Sequence, residues 1–210
     1  VLMKNLNNIL PVFPLNGAIL LPQGNLPLNI FEERYIEMID YSLSKNKKIG
    51  MIQTMENRGG FYKVGCCGKI TSYNETKDGR YLINLLGLKN FKIIKEISNE
   101  NKFRTFEVDF NIGNNNEKKL EEILLDKSVI LEKFKQFMSK TDLETNKNSF
   151  ESIDSIELDD LVRILAMSCP FTVSEKQMLL ESKNSNVLAK NLITLFDFYN
   201  SQINSPKIIN

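Results

Sequence analysis

The apolar residues of this chain change their period once, and that change limits the fold more than any single motif does. Ahead of an asparagine-rich linker, NIGNNNEKK (Asn111 to Lys119), they fall in short runs; beyond it they recur every three and four residues. Short runs bounded by Gly, Pro and Asp-Gly favour strands, whereas three-four spacing favours helices that bury one stripe. The expectation is an α+β chain, with a partly closed β-barrel lobe and one helix over 9–112, and a helical bundle lobe over 117–201. With 210 residues, 42% of them hydrophobic, it can bury a sizeable core.

In the first lobe, ILPVF (Ile9 to Phe13), AILL (Ala18 to Leu21) and LPLNI (Leu26 to Ile30) read as short extended pieces. Pro11, Pro14, Pro22 and Pro27 suit edges and turns, because proline cannot donate to a ladder. Tyr35, Ile36, Ile39 and Leu43 then recur at helical period, predicting a helix from Glu32 to Ser44 whose stripe closes one end of the sheet. Asn29 and Glu32 have the spacing of a capping box before it. KIGMIQT, YKVGCCGKITSY, RYLINLLG, FKIIKEI and FRTFEVDF follow as five further strands. Asp78-Gly79 predicts a hairpin with a type I′ turn, and Gly65 and Gly68 mark a bulge or a sharp bend.

In the second lobe, Leu120, Ile123, Leu124, Leu131, Phe134, Phe137 and Met138 trace one stripe, and Leu158, Leu161, Val162 and Leu165 another, with a polar gap from Ser139 to Ser149 between them. A third helix opens near Ser174, where Thr172-Glu175 and Ser174-Gln177 both have capping-box spacing. A fourth carries Leu188, Leu192, Leu195, Phe196 and Tyr199 on one side.

The chain has no histidine, which removes Ser-His-Asp and Cys-His catalysis and histidine zinc sites together. Cys66, Cys67 and Cys169 are too few for a structural zinc, and adjacent cysteines on a strand point to opposite faces, so a buried packing role is expected and no metal or cofactor. Gly68-Lys69 comes nearest to a phosphate-binding loop, but Ile70 stands where Ser or Thr is needed and Lys63 where the first glycine belongs. The acid pairs Glu32-Glu33 and Asp159-Asp160 read as solubilising. The 27 basic and 26 acidic residues nearly cancel, which argues against nucleic acid, and Lys45, Lys47, Lys48, Lys118 and Lys119 read as solvated surface. No apolar run approaches the roughly 20 residues of a membrane span, and the opening VLMKNLNNILPVFPL, broken by Pro11 and Pro14, does not read as a signal peptide. No membrane partner and a cytoplasmic location are expected, in keeping with so few cysteines.

PVFPLNGAILLPQGNLPLNIFEERYIEMID, then KIGMIQT, VGCCGKI, KDGRYLINLLGLKNFKI and EKQMLLES, resemble, in order, the N-terminal domain of Lon proteases, from Leu10 to Tyr199. The resemblance implies a PUA-like barrel, followed by helices, that recognises unfolded or tagged polypeptide. Lon proteins continue into an ATPase and a Ser-Lys protease module, so a chain of this length resembles a free-standing form, expected to be no enzyme and to serve as an adaptor or regulator in protein quality control. Its expected partners are such polypeptides, a Lon protease, or a weak oligomer of itself. In FEERY, Phe31 and Tyr35 are expected on the core side of the helix and Arg34 to tie that helix to the barrel. A surface for varied clients should be apolar and adaptable, which points to Leu21, Pro22, Leu26 and Pro27, widened by Met51 and Met55. Two alternatives remain at this point. PUA-like folds include RNA binders, and a small-ligand pocket is possible although the absence of Trp weakens an aromatic cage.

Overall fold

A computed structural model describes residues 8–55, 59–112, 125–140 and 155–202. Six strands, β1 (Ile9–Pro14), β2 (Asn25–Ile30), β3 (Lys48–Ile52), β4 (Val64–Glu75), β5 (Tyr81–Ile97) and β6 (Thr105–Asp109), form one mixed sheet. A single helix, α1 (Glu33–Leu43), lies among them in the chain, and α2 (Lys127–Lys140), α3 (Leu158–Ser168), α4 (Val173–Leu180) and α5 (Ser185–Gln202) follow. The fold is α+β. The expected Leu120, Ile123 and Leu124 and the gap at 141–149 lie outside the described residues.

The sheet runs β2-β5-β4-β3-β1-β6, and β6 pairs again with β5. All pairs are antiparallel except β1 with β3, which are parallel with Val12 opposite Gly50. RYLINLLG and FKIIKEI, expected as two strands, are one 17-residue strand, because Lys89 and Asn90 keep pairing with Cys67 and Cys66 of β4. Its first part meets β2 and its last part meets β6. The register of β4 against β5 shifts between Cys67 and Gly68, so the predicted irregularity falls at Gly68. Gly65 serves differently: a Cβ there would lie 2.7 Å from the Phe91 ring and 2.3 Å from the Met51 carbonyl, so the residue is small for packing. Phe91 is wholly buried in a core with Leu10, Val12, Ile52, Cys67, Phe106 and Val108.

Three local expectations change. Residues 18–21 form no strand; this segment crosses the sheet with Ile19, Leu20 and Leu21 buried, and it approaches so closely that a Cβ on Gly87 would come within 2.0 Å of the Leu21 carbonyl oxygen. Its backbone polar groups are used at the crossing, where Gln23 N–H donates to Gly87 O at 2.8 Å and Gly87 N–H donates to Gly24 O at 2.8 Å. The β4–β5 hairpin exists, but only Gly79 of the Asp78-Gly79 pair has positive φ, at 79°. Gly79 N–H closes a turn onto Thr76 O at 2.9 Å and Thr76 N–H bonds Arg80 O at 2.8 Å, a longer loop than a two-residue I′ turn. Glu32 holds the N-cap position of α1 without a side-chain cap bond, and Asn29 is instead engaged in β2 opposite Leu82.

Tyr35, Met38, Ile39 and Ser42 are the buried face of α1, packed on β1 and β3. Phe13 meets Tyr35 edge to face at 4.5 Å, and Tyr41 meets Phe103 at 5.4 Å. Arg34 bonds Glu32 and stacks at 4.5 Å over Tyr35, a local clasp in place of the expected tie to the sheet.

The chain divides into two compact units. The first comprises residues 1–115 together with Pro170–Leu180, and thus holds the whole sheet, α1 and α4; the second comprises 116–169 and 181–210. Helix α4, expected with the later helices, belongs with the sheet because its Gln177 bonds Gln53, just past β3, and Val64 of β4, and Asn90 of β5 donates to Leu180 O at 2.9 Å. Its capping box forms as predicted at Thr172-Glu175: Thr172 N–H donates to Glu175 Oε2 at 2.8 Å and Glu175 N–H to Thr172 Oγ1 at 3.4 Å. In the second unit α5 packs against α2 and α3, with Phe196 at 5.3 Å from Phe137 and 5.9 Å from Phe134. The nearly buried Arg163 of α3 is paired with Asp160 and, at 3.9 Å, Asp159.

Candidate functional site

β2 is the one strand at the border of the sheet whose sequence combines apolar side chains with a proline. It pairs with β5 on one side and with no other strand among the described residues. Alternation turns Leu26, Leu28 and Ile30 to the packed side, where Ile30 is buried and the two leucines are half-buried. Pro27 and Asn29 take the other side and are exposed, as is Phe31 one step beyond the strand. Opposite Asn29 on β5 stands Leu82, also outward. Phe31 is 65% exposed and Leu82 46%, so Pro27 and Leu82 share the outward side, with exposed Phe31 just past the strand, beside a backbone edge that no other described strand pairs. Isolated exposed leucines need no explanation, but apolar groups gathered at a strand edge form a surface that an extended chain can cover.

The polar neighbours of this face are mostly neutral. Asn84 lies opposite Pro27 and donates to Asn25 Oδ1 and Thr71 Oγ1, both at 3.1 Å. The ion pair of Arg34 with Glu32, 2.8 Å apart, is solvated on both partners and contributes little energy. On the packed side, Tyr81 donates its hydroxyl to Asp40 at 2.8 Å, and that bond, before burial, pushes the tyrosine up to about 12. The surface therefore has no fixed charge pattern to match, which suits chains of varied sequence.

The six residues named from sequence do not come together. Leu21 and Met51 are core residues, exposed by 3% and 2%, and offer no area to a client in this conformation. Pro22, Leu26 and Met55 are half-buried and Pro27 is exposed. β5 and β4 intervene between β2 and β3, so Met51 and Met55 are not continuous with Leu26 and Pro27. Sequence reasoning assigned Phe31 to the core through its spacing to Tyr35 and overlooked Leu82. The signal for Phe31 lay in the alternation of β2, since Leu26, Leu28 and Ile30 on one side put residue 31 on the other.

All three cysteines are buried thiols. Burial pushes Cys66 up and carries Cys67 to about 11 against a smaller opposing pull from Lys48. Among the described residues no three Cys, Asp or Glu side chains converge to hold a metal ion.

Residues 9–195 match the family model of the ATP-dependent protease La (LON) substrate-binding domain. The chain is 25% identical over 195 residues to the Lon protease of Buchnera aphidicola subsp. Baizongia pistaciae, covering 90% of this chain and 24% of that protein. It is also 25% identical over 187 residues to Lon protease 1 of Bdellovibrio bacteriovorus, covering 85% and 23%. It thus spans about a quarter of the length of these curated relatives. Among solved structures, it resembles the Lon N-terminal domain protein from Xanthomonas campestris, with TM-score 0.60 and 18% identity over 90% of this chain and 98% of that one. The N-terminal domain of the Mycobacterium avium complex Lon protease superposes with TM-score 0.62 and 17% identity, covering 92% and 98%. These likenesses in fold agree with a family match that runs through both compact units, and the chain therefore belongs to the LON substrate-binding domain family.

Proposed function

We propose that this chain is a non-catalytic polypeptide-recognition module that takes unfolded or tagged proteins and acts as an adaptor or regulator beside a Lon protease in the cytoplasm. The observation that carries this reading is the edge of β2, where Pro27, Phe31 and Leu82 are exposed next to a strand edge that no other described strand pairs. Leu26 and Pro27 are kept from the sequence-derived set, Pro22 flanks them, and Phe31 and Leu82 join them. Membership of a substrate-binding family supports the same reading. The pairings β5-β4-β3-β1-β6, returning to β5, support a PUA-like barrel for the first unit, and the packing of α5 on α2 and α3 supports a small bundle for the second. The polypeptide reading is preferred to RNA because the exposed face is apolar and the 27 basic residues are matched by 26 acidic ones.

The deciding experiment is retention of a chemically denatured client by immobilised protein, compared between the unaltered chain and Phe31→Ser/Leu82→Ser. Loss of retention with an unchanged circular dichroism spectrum is expected. Full retention by the folded variant would remove β2 as the surface, and no retention by the unaltered chain would remove the function. ATP hydrolysis or casein cleavage that survives repurification would contradict the non-catalytic part.

A further inference from the structure

A second feature of the first unit has a different chemistry. A cavity of about 410 Å³ opens against β1, β3, β4 and β5, within the roughly 300–1,000 Å³ typical of ligand pockets. Strand register builds it. Cys67 stands opposite both Gly50 and Lys89, Lys48 lies two residues before Gly50, and Leu10 lies two residues before Val12, the partner of Gly50 on β1. Side chains two apart on a strand share a face, so four strands deliver Leu10, Lys48, Cys67 and Lys89 to one place. Phe110, just past β6, and Asn46, ahead of β3, also line it.

The lining has two amines and no carboxylate. Lys48 and Lys89 form no ion pair among the described residues, although many other cations of the chain do. Lys48 is half-buried, unlike the exposed Lys45 and Lys47 with which it was grouped as solvated surface. Asn46, in the lining, has its Oδ1 engaged by the Lys48 backbone N–H at 3.0 Å. Leu10, Phe110 and the thiol of Cys67 supply an apolar floor, and that thiol, pushed up to about 11, adds no negative charge at neutral pH.

A ligand that satisfies both parts needs one anionic head and an apolar body. We propose that this pocket binds the C-terminal carboxylate of a polypeptide whose last residue is apolar, with Lys48 and Lys89 on the carboxylate and Leu10 and Phe110 on the side chain. This rests on the polypeptide-recognition reading and gives it an end-specific component distinct from the β2 face. A bare inorganic anion would leave the apolar floor uncovered, and an internal segment of chain would leave the two amines of half-buried Lys48 and exposed Lys89 without a counter-charge.

The test titrates the full chain into a fluorescent peptide ending in leucine, as the free acid and as the C-terminal amide, with N-acetyl-leucine as competitor. The acid is expected to bind at least about tenfold more tightly than the amide, equivalent to ~1.4 kcal/mol. Lys48→Gln/Lys89→Gln should abolish the difference, and Lys48→Arg/Lys89→Arg should keep it. If the double glutamine variant fails to fold, Lys89→Gln alone, at an exposed side chain, carries the same comparison. Equal binding of acid and amide, or a preference that survives loss of the lysines, overturns the assignment. N-acetyl-leucine binding as tightly as the peptide would give the pocket to small carboxylates and equally overturn it. Retention of a denatured client without any end preference would sink this pocket alone, whereas failure to bind client and peptide alike would sink the polypeptide reading with it.

Discussion

The side chain of Gln53 donates to the side-chain oxygen of Gln177 at 3.0 Å, across 124 residues of sequence. Both amides are buried, Gln53 completely. The same nitrogen of Gln53 reaches Val173 O at 3.0 Å, and Gln177 donates onward to Val64 O at 3.1 Å. This network fastens α4 to the sheet with polar groups in apolar surroundings, where each bond is costly to lose.

Gln53→Leu should therefore destabilise the protein by about 1–3 kcal/mol, because the Gln177 oxygen and the Val173 carbonyl each lose a buried hydrogen bond. Urea unfolding measures it. A loss below about 0.5 kcal/mol, within the range of ordinary surface changes, would show that α4 is held by its apolar contacts alone.

Gly65→Ala tests the approach of Phe91. A methyl at position 65 would meet both that ring and the Met51 carbonyl, so a loss of about 1–3 kcal/mol is expected from overpacking. Gly17→Ala is the contrast: nothing lies within 4 Å of its Cβ position, and its positive φ of 73° supplies the only strain. Thermal denaturation of both variants decides whether crowding or backbone conformation costs more, and a smaller shift for Gly65→Ala would refute the packing account.

Leu21→Ser and Phe31→Ser should part company. The first places a hydroxyl in the core and should cost about 2–5 kcal/mol; the second changes an exposed ring and should alter stability by less than about 0.5 kcal/mol while weakening client retention. If both variants melt like the parent, Leu21 is not packed as described.

Alkaline pH should unfold the protein earlier than a chain with unperturbed groups. Tyr81 is raised from 10.0 to about 12 and Cys67 from 9.0 to about 11, so both hold their protons more tightly when folded. Their contribution is complete below the ordinary values and falls away as pH rises from 9 to 11 for the thiol and from 10 to 12 for the phenol. Urea midpoints measured across this range should decline, and Tyr81→Phe should flatten the upper part of the decline. A thiol reagent at pH 8 should leave Cys67 unmodified in the folded chain; rapid modification there would contradict its burial.

Much of the fold was legible because it rests on local pattern. The strands β1, β2, β3, β4 and β6, the helix carrying Tyr35 and Ile39, and the Thr172-Glu175 cap all follow from spacing. What could not be read depends on partners distant in sequence. AILL looks like a strand, yet its residues are spent covering Gly68 and Gly87, and nothing local reveals that crossing. The long strand β5 looks interrupted because Leu88-Lys89-Asn90 breaks its alternation, but β4 pairs with it on both sides of Leu88, from Tyr81 to Lys92. At the candidate sites, prolines drew notice to β2, while the exposure of Leu82 depends on its register with Asn29, and the grouping of Lys48 with Lys89 on three strands meeting through Cys67.

The return of α4 to the sheet also imposes an order of events on a chain made from its N-terminus. Val64 has no bond from Gln177 until a further 113 residues have been added. At the usual pace of roughly 5–20 residues per second, that is a wait on the order of 10 s, during which the rim beside β4 and the side chain of Gln53 stay uncovered. The sheet is thus translated almost entirely before its last helix exists, and for that interval the nascent protein presents the same kind of unfinished apolar surface that it is proposed to recognise in others.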